Sequence, residues 1–519
     1  EDEKHLEPCM LHERGAGDCS IDTLPRLPIA DDNELANSLH NKEPSLLHLD
    51  TRHTGAFKPL LAQLKTHSLT LVALPLHNRQ NQAIGSLCLL YRDSGNNLDR
   101  GEHAQQIAFI KALSGFAAVT LESRQLLMMQ EALLNAFIKL IAGAIDAKSP
   151  YTGGHCQRVP ELTRMLAEAA CDSDDPPFRD FKLEDEQWDA LDIASWLHDC
   201  GKVTTPEYVV DKATKLETIY DRIHEVRLRF EILKRDAEIR YRKQVAEGGD
   251  PAALGKTLED EWQQLDEDFA FIAECNVGGE FMAADKVERL QQIAERRWTR
   301  TLDDRIGISW EEKQRKDRTP PSSLPVEEKL LDDKPEHLIE RAEAERMPAD
   351  NPWGFRLEVP EYKFNRGELY NLAVSRGTLT AEERFKINEH MVQTIIMLEK
   401  LPYPKHLREV PMIAGCHHET MTGTGYPKRL TREQMPLTAR MLAIADIFEA
   451  LTAADRPYKK AKTLSEAVRI LGFMKNDQHI DADLFDLFLR SGTWLRYGRK
   501  FLQPEQIDEV DISQHLGKP

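Results

Sequence analysis

The stretch "WLHDCGK" (residues 196–202) places a histidine and an aspartate side by side at the end of an apolar run. Burying two ionisable side chains among apolar residues is costly unless their charge and hydrogen-bonding groups find a partner. A divalent metal would be such a partner. Adjacent helix positions point roughly 100° apart. His198 could therefore bind one metal while Asp199, with its two carboxylate oxygens, bridges to a second. The pair alone is a two-residue motif, so its meaning depends on ligand-type residues elsewhere in the chain.

Four further segments carry metal-ligand residue types. They are "TGGHCQRV" with His155, "INEHMVQT" with His390, "CHHET" with His417 and His418, and "AIADIFEAL" with Asp446. A lone histidine is more often a surface or satisfied core residue than a ligand. As a set, five histidines and two aspartates suit a pair of metals, since imidazole favours iron, zinc or nickel and carboxylate widens the choice to manganese. Such a pair activates water and clamps a phosphoryl oxygen.

The order of these motifs carries a family resemblance. Residues from about 146 to 490 resemble the HD-GYP family, a branch of the HD-domain metal phosphohydrolases. The matching stretches are "DAKSPYTGGHCQRV", "LHDCGKVTTPEYVVDKATKL", "GTLTAEERFKINEH", "HHETMTGTGYP" and "IADIFEALTAADRPYKKAKTLSEAV". The resemblance implies hydrolysis of a cyclic dinucleotide, cyclic di-GMP or cyclic GMP-AMP, to a linear dinucleotide, with GMP as a further product left open. It also implies two or three metals, often iron or manganese.

The resemblance transfers roles onto individual residues of this chain. It makes the metal ligands His155, His198, Asp199, His390, His417, His418 and Asp446, with Asp199 as the bridging carboxylate. Asp199 and Lys202 would be catalytic, because Lys202 would reach the scissile phosphate or the leaving group. The predicted substrate-binding residues are Lys202, Arg456, Lys459 and Tyr426, and the residues expected to orient the ligands from behind are Glu419 and Arg158.

For some of these residues an ordinary structural role, without contact to substrate, stays open. Arg456 and Lys459 could be ordinary solvated cations, and the loop around Tyr426 could only support the pocket. Thr422 stands where the family commonly has an aspartate, although no metal ligand is lost. Tyr151 stands where members with a third metal carry a glutamate, so we expect two divalent metals. Iron is the first candidate, followed by manganese or other metals.

One ligand position has two candidates, His224 and His390. The spacing within "LTAEERFKINEH" matches the usual distance between a leucine and the ligand histidine in the family that the chain resembles. His224 lies too close to Leu216. We therefore assign the ligand to His390 and place His224 in the helix of an insertion.

The expected fold class is multidomain. An α/β GAF-like domain at residues 1–122, truncated at its start, precedes a connecting signalling helix at 123–145. An all-α HD-GYP domain follows at 146–500 and is interrupted by a large, mostly helical insertion at about 217–364. A tail at 501–519 ends the chain.

The GAF-like assignment depends on two β-rich runs, "SLTLVALPL" (residues 68–76) and "AIGSLCLLY" (residues 83–91), which are expected to pair antiparallel. A helix is expected at about 101–121. The stretches "LTLVALPLHNRQNQAIGSLCLLYR" and "IAFIKALSGFAAVTLESRQLL" resemble a GAF domain. That resemblance implies binding of a small ligand, here unknown, or dimerisation.

Apolar residues of the connecting helix recur at spacings of three and four, an a/d pattern. They are Leu126, Met129, Leu133, Ala136 and Leu140. The helix is either an ordinary buried helix or a signalling helix that pairs with a second copy to form a homodimer. The two interpretations weigh about evenly, and the position between two domains favours the second.

The bulk composition restricts partners and compartment. A net charge of −19 argues against a nucleic-acid polymer as partner. Eight cysteines without a CxxC pair are typical of reduced cytosolic thiols. No apolar run is expected to reach the length of a membrane span, and the acidic start is not a signal peptide. We expect a cytoplasmic location, with an upstream membrane tether left open because the sequence starts abruptly.

Three functions remain at this point. The first is a metal-dependent cyclic dinucleotide phosphodiesterase regulated by its GAF-like domain. The others are an HD-type phosphohydrolase of another nucleotide, and a catalytically weak sensor or scaffold that binds the dinucleotide without cleaving it. The complete ligand set favours the enzyme, whereas Thr422 and the insertion keep the sensor open.

Overall fold

The structure is a computed structural model. It describes residues 5–13, 17–19, 21, 24, 26–28, 34–50, 57–92, 100–148, 154–279, 281–348, 350–454 and 461–516. The chain divides into two compact units, residues 1–136 and 137–519. Tyr151, Arg456 and Lys459 lie outside the described residues, so the interpretations of these three positions stay predictions.

The first unit contains short strands and two short helices. Its strands are β1 (His5–Leu6), β2 (Leu11–Glu13), β3 (Gly17–Cys19), β4 (Leu27–Pro28), β5 (Ser45–Asp50), β6 (Ser68–His77) and β7 (Ala83–Arg92). Its helices are α1 (Glu34–Asn41) and α2 (Lys58–Gln63). Strands β5, β6 and β7 form an antiparallel sheet in that order, which confirms the predicted pairing of the two β-rich runs.

A single long helix, α3 (Arg100–Asp146), continues from the first unit into the second. The helix expected at about 101–121 and the connecting helix expected at 123–145 form one continuous helix, because no proline interrupts the apolar run between them. Leu126, Met129, Leu133 and Leu140 are all exposed along it. Within one chain the a/d residues therefore lack the packing that an ordinary buried helix would give them.

Part of this helix, Ala108–Asp146, is long and apolar enough to cross a membrane by length and composition alone. This differs from the expectation that no run reaches such a length. Core helices and signal sequences meet the same criterion, so the finding is weak evidence for a span.

The second unit is mostly helical. Its helices are α4 (His155–Cys171), α5 (Asp185–Leu197), α6 (Glu207–Val210), α7 (Ile223–Ala246), α8 (Pro251–Val277), α9 (Ala284–Ala294), α10 (Trp310–Lys316), α11 (Glu368–Leu372), α12 (Ala381–Glu399), α13 (Val410–Gly415), α14 (Leu437–Thr452), α15 (Leu464–Asn476), α16 (Ala482–Arg490) and α17 (Thr493–Phe501). Leu162 of α4, Leu191 of α5 and Phe448 of α14 are fully buried in one core. This core holds rigid the helices that carry the ionisable motifs.

The predicted insertion has a core of its own. Val226 of α7, Ile272 of α8 and Leu330 lie in a second buried cluster. The insertion, predicted to be mostly helical, also contains four short strands, β8 (Arg297–Arg300), β9 (Val326–Lys329), β10 (Leu338–Glu340) and β11 (Tyr362–Asn365). They form two antiparallel pairs, β8 with β9 and β10 with β11.

Two buried lysines tie the start of this insertion to the segment that follows it. The Lys212 ammonium donates to the Glu383 carboxylate in the first turn of α12 at 2.8 Å. The Lys215 ammonium donates to the carbonyls of Leu372 and Val374, both at 2.8 Å. Charge-assisted hydrogen bonds of this kind fix the position of α12, although the long insertion separates it in sequence from both lysines.

A partly buried histidine, His337, makes the stability of the insertion depend on pH. The Lys334 amide donates to Nδ1 of His337 at 3.1 Å, and burial lowers the pKa of His337 to about 4. Because the unfolded histidine titrates near 6.5, the stabilisation is complete above that pH and is lost as the pH falls toward 4. The expected loss is at most about 3 kcal/mol.

Hydrogen exchange of the amides in residues 330–341, compared at matched pH with a His337→Gln variant, measures this loss. Glutamine keeps the acceptor but does not titrate. A wild-type segment that opens no more readily at pH 4.5 than the variant would contradict the prediction.

Candidate metal centre

The structure brings all seven predicted ligand residues together from five places in the second unit. His155 begins α4, while His198 and Asp199 follow α5. His390 lies inside α12, Asp446 lies inside α14, and the His417–His418 pair follows α13. The potential ligand atoms form two groups, His155, His198, Asp199 and Asp446 in one and His390, His417 and His418 in the other.

The first group is built around two carboxylates. Oδ1 of Asp446 lies 3.3 Å from Nε2 of His155 and 3.6 Å from Nε2 of His198. Oδ2 of Asp199 lies 3.4 Å and 3.3 Å from the same two nitrogens. Four ligand atoms of borderline and hard character therefore converge on one point.

The second group faces the other oxygen of the same aspartate. Oδ1 of Asp199 lies 3.2 Å from Nε2 of His390 and 4.0 Å from Nε2 of His417. The ring of His418 lies 4.3 Å from that of His417 and 5.3 Å from that of His390. Each carboxylate oxygen of Asp199 thus faces a different group of ligands.

Glycine 201 permits the close approach that joins the two groups. The 3₁₀ helix Cys200–Thr204 packs directly on α12, where the Gly201 amide donates to Thr394 Oγ1 at 2.9 Å. A Cβ atom at position 201 would lie 1.9 Å from the His390 carbonyl oxygen. Any larger residue would clash with the backbone of α12 at His390. Relieving that clash would move His390 away from Asp199.

The outer ring nitrogens are held by backbone carbonyls three residues earlier. Nδ1 of His198 donates to Ser195 at 2.7 Å, Nδ1 of His390 to Ile387 at 2.5 Å, and Nδ1 of His417 to Ala414 at 2.7 Å. This pattern fixes the tautomer and leaves the Nε2 lone pair aimed into the centre.

The inner atoms of the centre have no hydrogen-bond partner among the described residues. They are Nε2 of His155, His198, His390 and His417, and Oδ1 of Asp199. Buried polar atoms without protein partners are rare and costly, and five in one place indicate a site suited to a bound ligand. The donor set fits divalent transition metals, and the second unit therefore contains buried His/Asp clusters suited to metal ions.

The protonation states of the ligand residues favour binding of a cation in part of the site. Burial and the neighbouring His198 lower the pKa of His417 to about 4, so its imidazole is neutral. Burial would raise the pKa of Asp199, but Lys202 and His198 outweigh it and hold the pKa well below its usual range. Burial lowers the pKa of His198, but Asp199 and Asp446 outweigh it and raise the pKa to about 9. Metal binding at such a site displaces protons from the imidazoles.

Glu449 belongs to this site and was missed by sequence reasoning. Its Oε2 lies 2.5 Å from Nδ1 of His155, and its Oε1 accepts from Arg158 at 2.7 Å. It lies one turn after Asp446 on α14, so both carboxylates point to the same side of that helix. The spacing of three within "IADIFEAL" was the available signal. Arg158, predicted to orient ligands, reaches His155 through this carboxylate.

Glu419 has a different position from the one predicted. Its carboxylate accepts the amides of Lys428 at 2.7 Å and Leu430 at 3.0 Å. His417 takes its orientation from the Ala414 carbonyl instead. Glu419 therefore stabilises the glycine-containing loop that follows it, because its carboxylate accepts two backbone amides at the end of that loop.

The loop that follows the histidine pair lies against the site. Gly423 adopts a left-handed conformation with φ of +77°, as expected for a tight turn. The hydroxyls of Thr420, Thr422 and Thr424 contact one another at 3.0 to 3.3 Å. Thr422 thus joins a hydroxyl cluster within the loop. The Tyr426 ring stacks on His418 with centroids 4.9 Å apart.

The remaining predicted residues divide into two sets. The Lys202 ammonium lies 2.5 Å from Oδ2 of Asp199, with its side chain partly open to solvent. His224 lies on α7 beside Arg227, outside both ligand groups, in agreement with its assignment to the insertion. Arg456 and Lys459 fall outside the described residues.

A comparison with known proteins matches the part of the second unit that carries His390, His417, His418 and Asp446. Residues 325–484 match the family model described as HD domain. A 3'3'-cGAMP-specific phosphodiesterase of Vibrio cholerae is 40% identical over 78 residues, 15% of this chain and 18% of that protein. A cyclic di-GMP phosphodiesterase of Pseudomonas aeruginosa is 43% identical over 75 residues, 14% of this chain and 17% of that protein.

A cyclic di-GMP phosphodiesterase response regulator of Xanthomonas campestris is 43% identical over 79 residues, 15% of this chain and 20% of that protein. The chain thus spans about a fifth of the length of these relatives. The C-terminal region contains an HD domain related to cyclic dinucleotide phosphodiesterases. No GAF domain was identified in the chain by these comparisons.

Glu449→Gln should weaken metal binding. The substitution keeps the volume but removes the charge that orients and polarises His155, and loss of such a partner typically costs about 10- to 100-fold in metal affinity. Metal content by mass spectrometry after dialysis against graded chelator measures the change. Glu399→Gln, an exposed residue at the end of α12, is the matched control. Equal metal retention in both variants would exclude this role for Glu449.

Proposed function

We propose that this protein is a metal-dependent phosphodiesterase that hydrolyses a cyclic dinucleotide of the cyclic di-GMP and cyclic GMP-AMP class to the linear dinucleotide. The observation that carries the proposal is the pair of buried ligand groups shared by the two oxygens of Asp199. The named activities of the relatives supply the substrate class.

The residues would divide their work as follows. One cation would be held by His155, His198 and Asp446 with Oδ2 of Asp199, and the second by His390, His417 and His418 with Oδ1. Divalent cations held by these residues, with iron as the first candidate and manganese as the next, would supply activation of water at neutral pH and neutralisation of charge on a phosphoryl oxygen. Glu449 would keep the imidazole of His155 in its ligand tautomer, and backbone carbonyls would do the same for His198, His390 and His417.

Lys202 is the residue best placed to meet the phosphate. Its ammonium already touches Asp199, and its partial exposure leaves protons free to turn toward an anionic ligand. There it would stabilise negative charge that grows on the phosphoryl and leaving-group oxygens. Tyr426, Arg456 and Lys459 are proposed to hold the remainder of the substrate.

Regulation is proposed through the first unit. A GAF-like domain that binds an unknown small ligand would act on the second unit through α3, in a cytoplasmic homodimer paired along residues 123–145. The exposed apolar residues of α3 support this pairing, because a second copy would remove them from water.

Asp199→Asn should abolish function through the metals. The amide keeps the shape but supplies neither the negative charge nor the second ligand oxygen, so turnover should fall more than about 100-fold. The test is metal content and cyclic di-GMP turnover of anaerobically purified full chain, with about two metals per chain expected in the wild type. Asp192→Asn on α5, which loses only a surface ion pair with Arg164, is the control.

The outcomes separate the three functions. Bound metal without turnover of cyclic di-GMP or cyclic GMP-AMP would favour the sensor, and turnover of other nucleotides only would favour a different phosphohydrolase. Absence of metal after reconstitution with iron, manganese and zinc would refute the ligand assignment.

The proposed dimer predicts a second change. Leu126→Glu combined with Leu133→Glu places charges in the a/d pattern and should convert a dimer into a monomer in sedimentation equilibrium. Gln130→Glu, an exposed polar position of the same helix, should leave the dimer intact. A wild-type chain that stays monomeric at high concentration would contradict pairing through α3.

A further inference from the structure

A cavity of about 360 Å3 lies between α12 and the last part of the insertion. Lys386, Glu389 and Gln393 of α12 form one wall, and residues 351–355 form the opposite one. Small-molecule sites typically have volumes of roughly 300 to 1,000 Å3. None of these residues belongs to the metal centre.

The lining combines aromatic faces with excess positive charge. The rings of Trp353 and Phe355 lie nearly parallel, 5.8 Å apart at 14°. The charged residues of the lining are four cations and two carboxylates, namely Arg341, Arg346, Lys363, Lys386, Glu345 and Glu389. Lys363 pairs with Glu345 at 2.5 Å and Lys386 with Glu389 at 2.6 Å. The local excess of +2 therefore lies on Arg341 and Arg346, in a chain whose net charge is −19. Aromatic faces beside cations are the surfaces on which nucleotide bases stack while their phosphates are held.

The aromatic wall is rigid. The buried Asn351 amide donates to the carbonyls of Pro348 at 3.1 Å and Phe355 at 3.0 Å, and its oxygen accepts the Phe355 amide at 2.9 Å. Three hydrogen bonds to the backbone therefore hold the turn that presents Trp353. A preformed wall lowers the ordering cost of binding.

The cavity adjoins the loop that follows the histidine pair His417–His418. The Arg356 amide donates to the Pro427 carbonyl at 2.7 Å, directly after the Tyr426 that stacks on His418. The Lys428 ammonium lies 5.9 Å above the Phe355 ring. The wall of the cavity is thus attached to the loop that closes the metal centre.

The cavity also shares α12 with the metal centre. Lys386 and Gln393 lie about one turn before and one turn after His390, on adjoining faces of the helix. Burial lowers the pKa of Lys148, Glu207 opposes this, and the charge of Lys386 lowers it further. Lys386 is therefore within electrostatic reach of Lys148, which lines a small cleft together with His155 and Asp199.

We propose that this cavity is a nucleobase subsite, in which the insertion receives one purine base of the dinucleotide whose scissile phosphate lies at the metal centre. The inference rests on the proposed function and makes the insertion a determinant of substrate choice. Trp353 stacks on the base, while the excess positive charge of Arg341 and Arg346 attracts the phosphate beside it.

The test compares Trp353→Ala, Trp353→Phe and Trp310→Ala in the metal-loaded full chain. Trp310 is an exposed tryptophan of α10 in the same insertion and serves as the matched control. Removing one stacked base contact should raise the KM for cyclic di-GMP about tenfold while kcat changes by less than about twofold. Phenylalanine should restore most of the loss, and GMP should inhibit the wild type competitively.

A second substrate distinguishes a loss of base binding from a disturbance of the metal centre. For Trp353→Ala, kcat/KM should fall at least about fivefold more with cyclic di-GMP than with bis(p-nitrophenyl) phosphate, a diester without a base. Equal losses with both substrates would mean that Trp353 only supports the catalytic loop, and an unchanged KM would mean that no base binds there. Either result overturns the subsite. GMP that binds without affecting the KM overturns it too, in favour of a separate nucleotide site.

Failure of the proposed function gives a different result. If the wild type turns over neither substrate, calorimetric binding of cyclic di-GMP to the metal-depleted chain replaces the kinetics. Binding about tenfold weaker in Trp353→Ala than in Trp310→Ala would retain the subsite. Equal binding in the two variants, or none in the wild type, would overturn it.

Discussion

The position of one buried carboxylate, Asp199, organises the second unit. Its two oxygens face two different groups of imidazoles at 3.2 to 3.4 Å, and the residue is 2% exposed. A charge in that position is unfavourable unless cations surround it. Lys202 supplies one cation at 2.5 Å, and the unpaired Nε2 atoms around it indicate where divalent ions would supply the rest. The surrounding core of α4, α5 and α14 keeps the ligand groups from separating.

Helix α12 links this centre to the rest of the molecule. Its first turn is held by the buried Lys212–Glu383 pair, its middle carries His390, and an adjoining face lines the cavity of the insertion. The close packing of Gly201 on the same helix leaves no room for independent movement. A displacement of the insertion would therefore change the position of His390 and of the loop at Pro427 together, because packed helices transmit small shifts.

Charge is distributed unevenly between these parts. The chain is strongly acidic, yet cations collect where an anionic ligand would lie, at Lys202 beside the ligand groups and around the cavity of the insertion. An acidic surface disfavours polymeric nucleic acid, whereas a few fixed cations in a partly enclosed site are enough for a small phosphate ligand. The first unit shows a different imbalance, since exposed apolar side chains dominate α3.

The sequence by itself identified the seven residues that the structure brings together and the antiparallel strand pair of the first unit. Ligand chemistry depends on residue type and order, and strand pairing on a local alternation of β-branched and apolar residues with a polar turn. Glu449 was missed, because a glutamate one turn after Asp446 looks like any exposed helix residue until α4 packs against α14. The strands β8 to β11 were missed for the same reason: runs such as "RWTR" and "VEEK" carry no apolar alternation, and only pairing with distant segments makes them strands. Glu419, likewise, binds loop amides that lie nearby only after the loop has closed. The tertiary structure decided these features because each depends on partners far away in sequence, which no local pattern encodes.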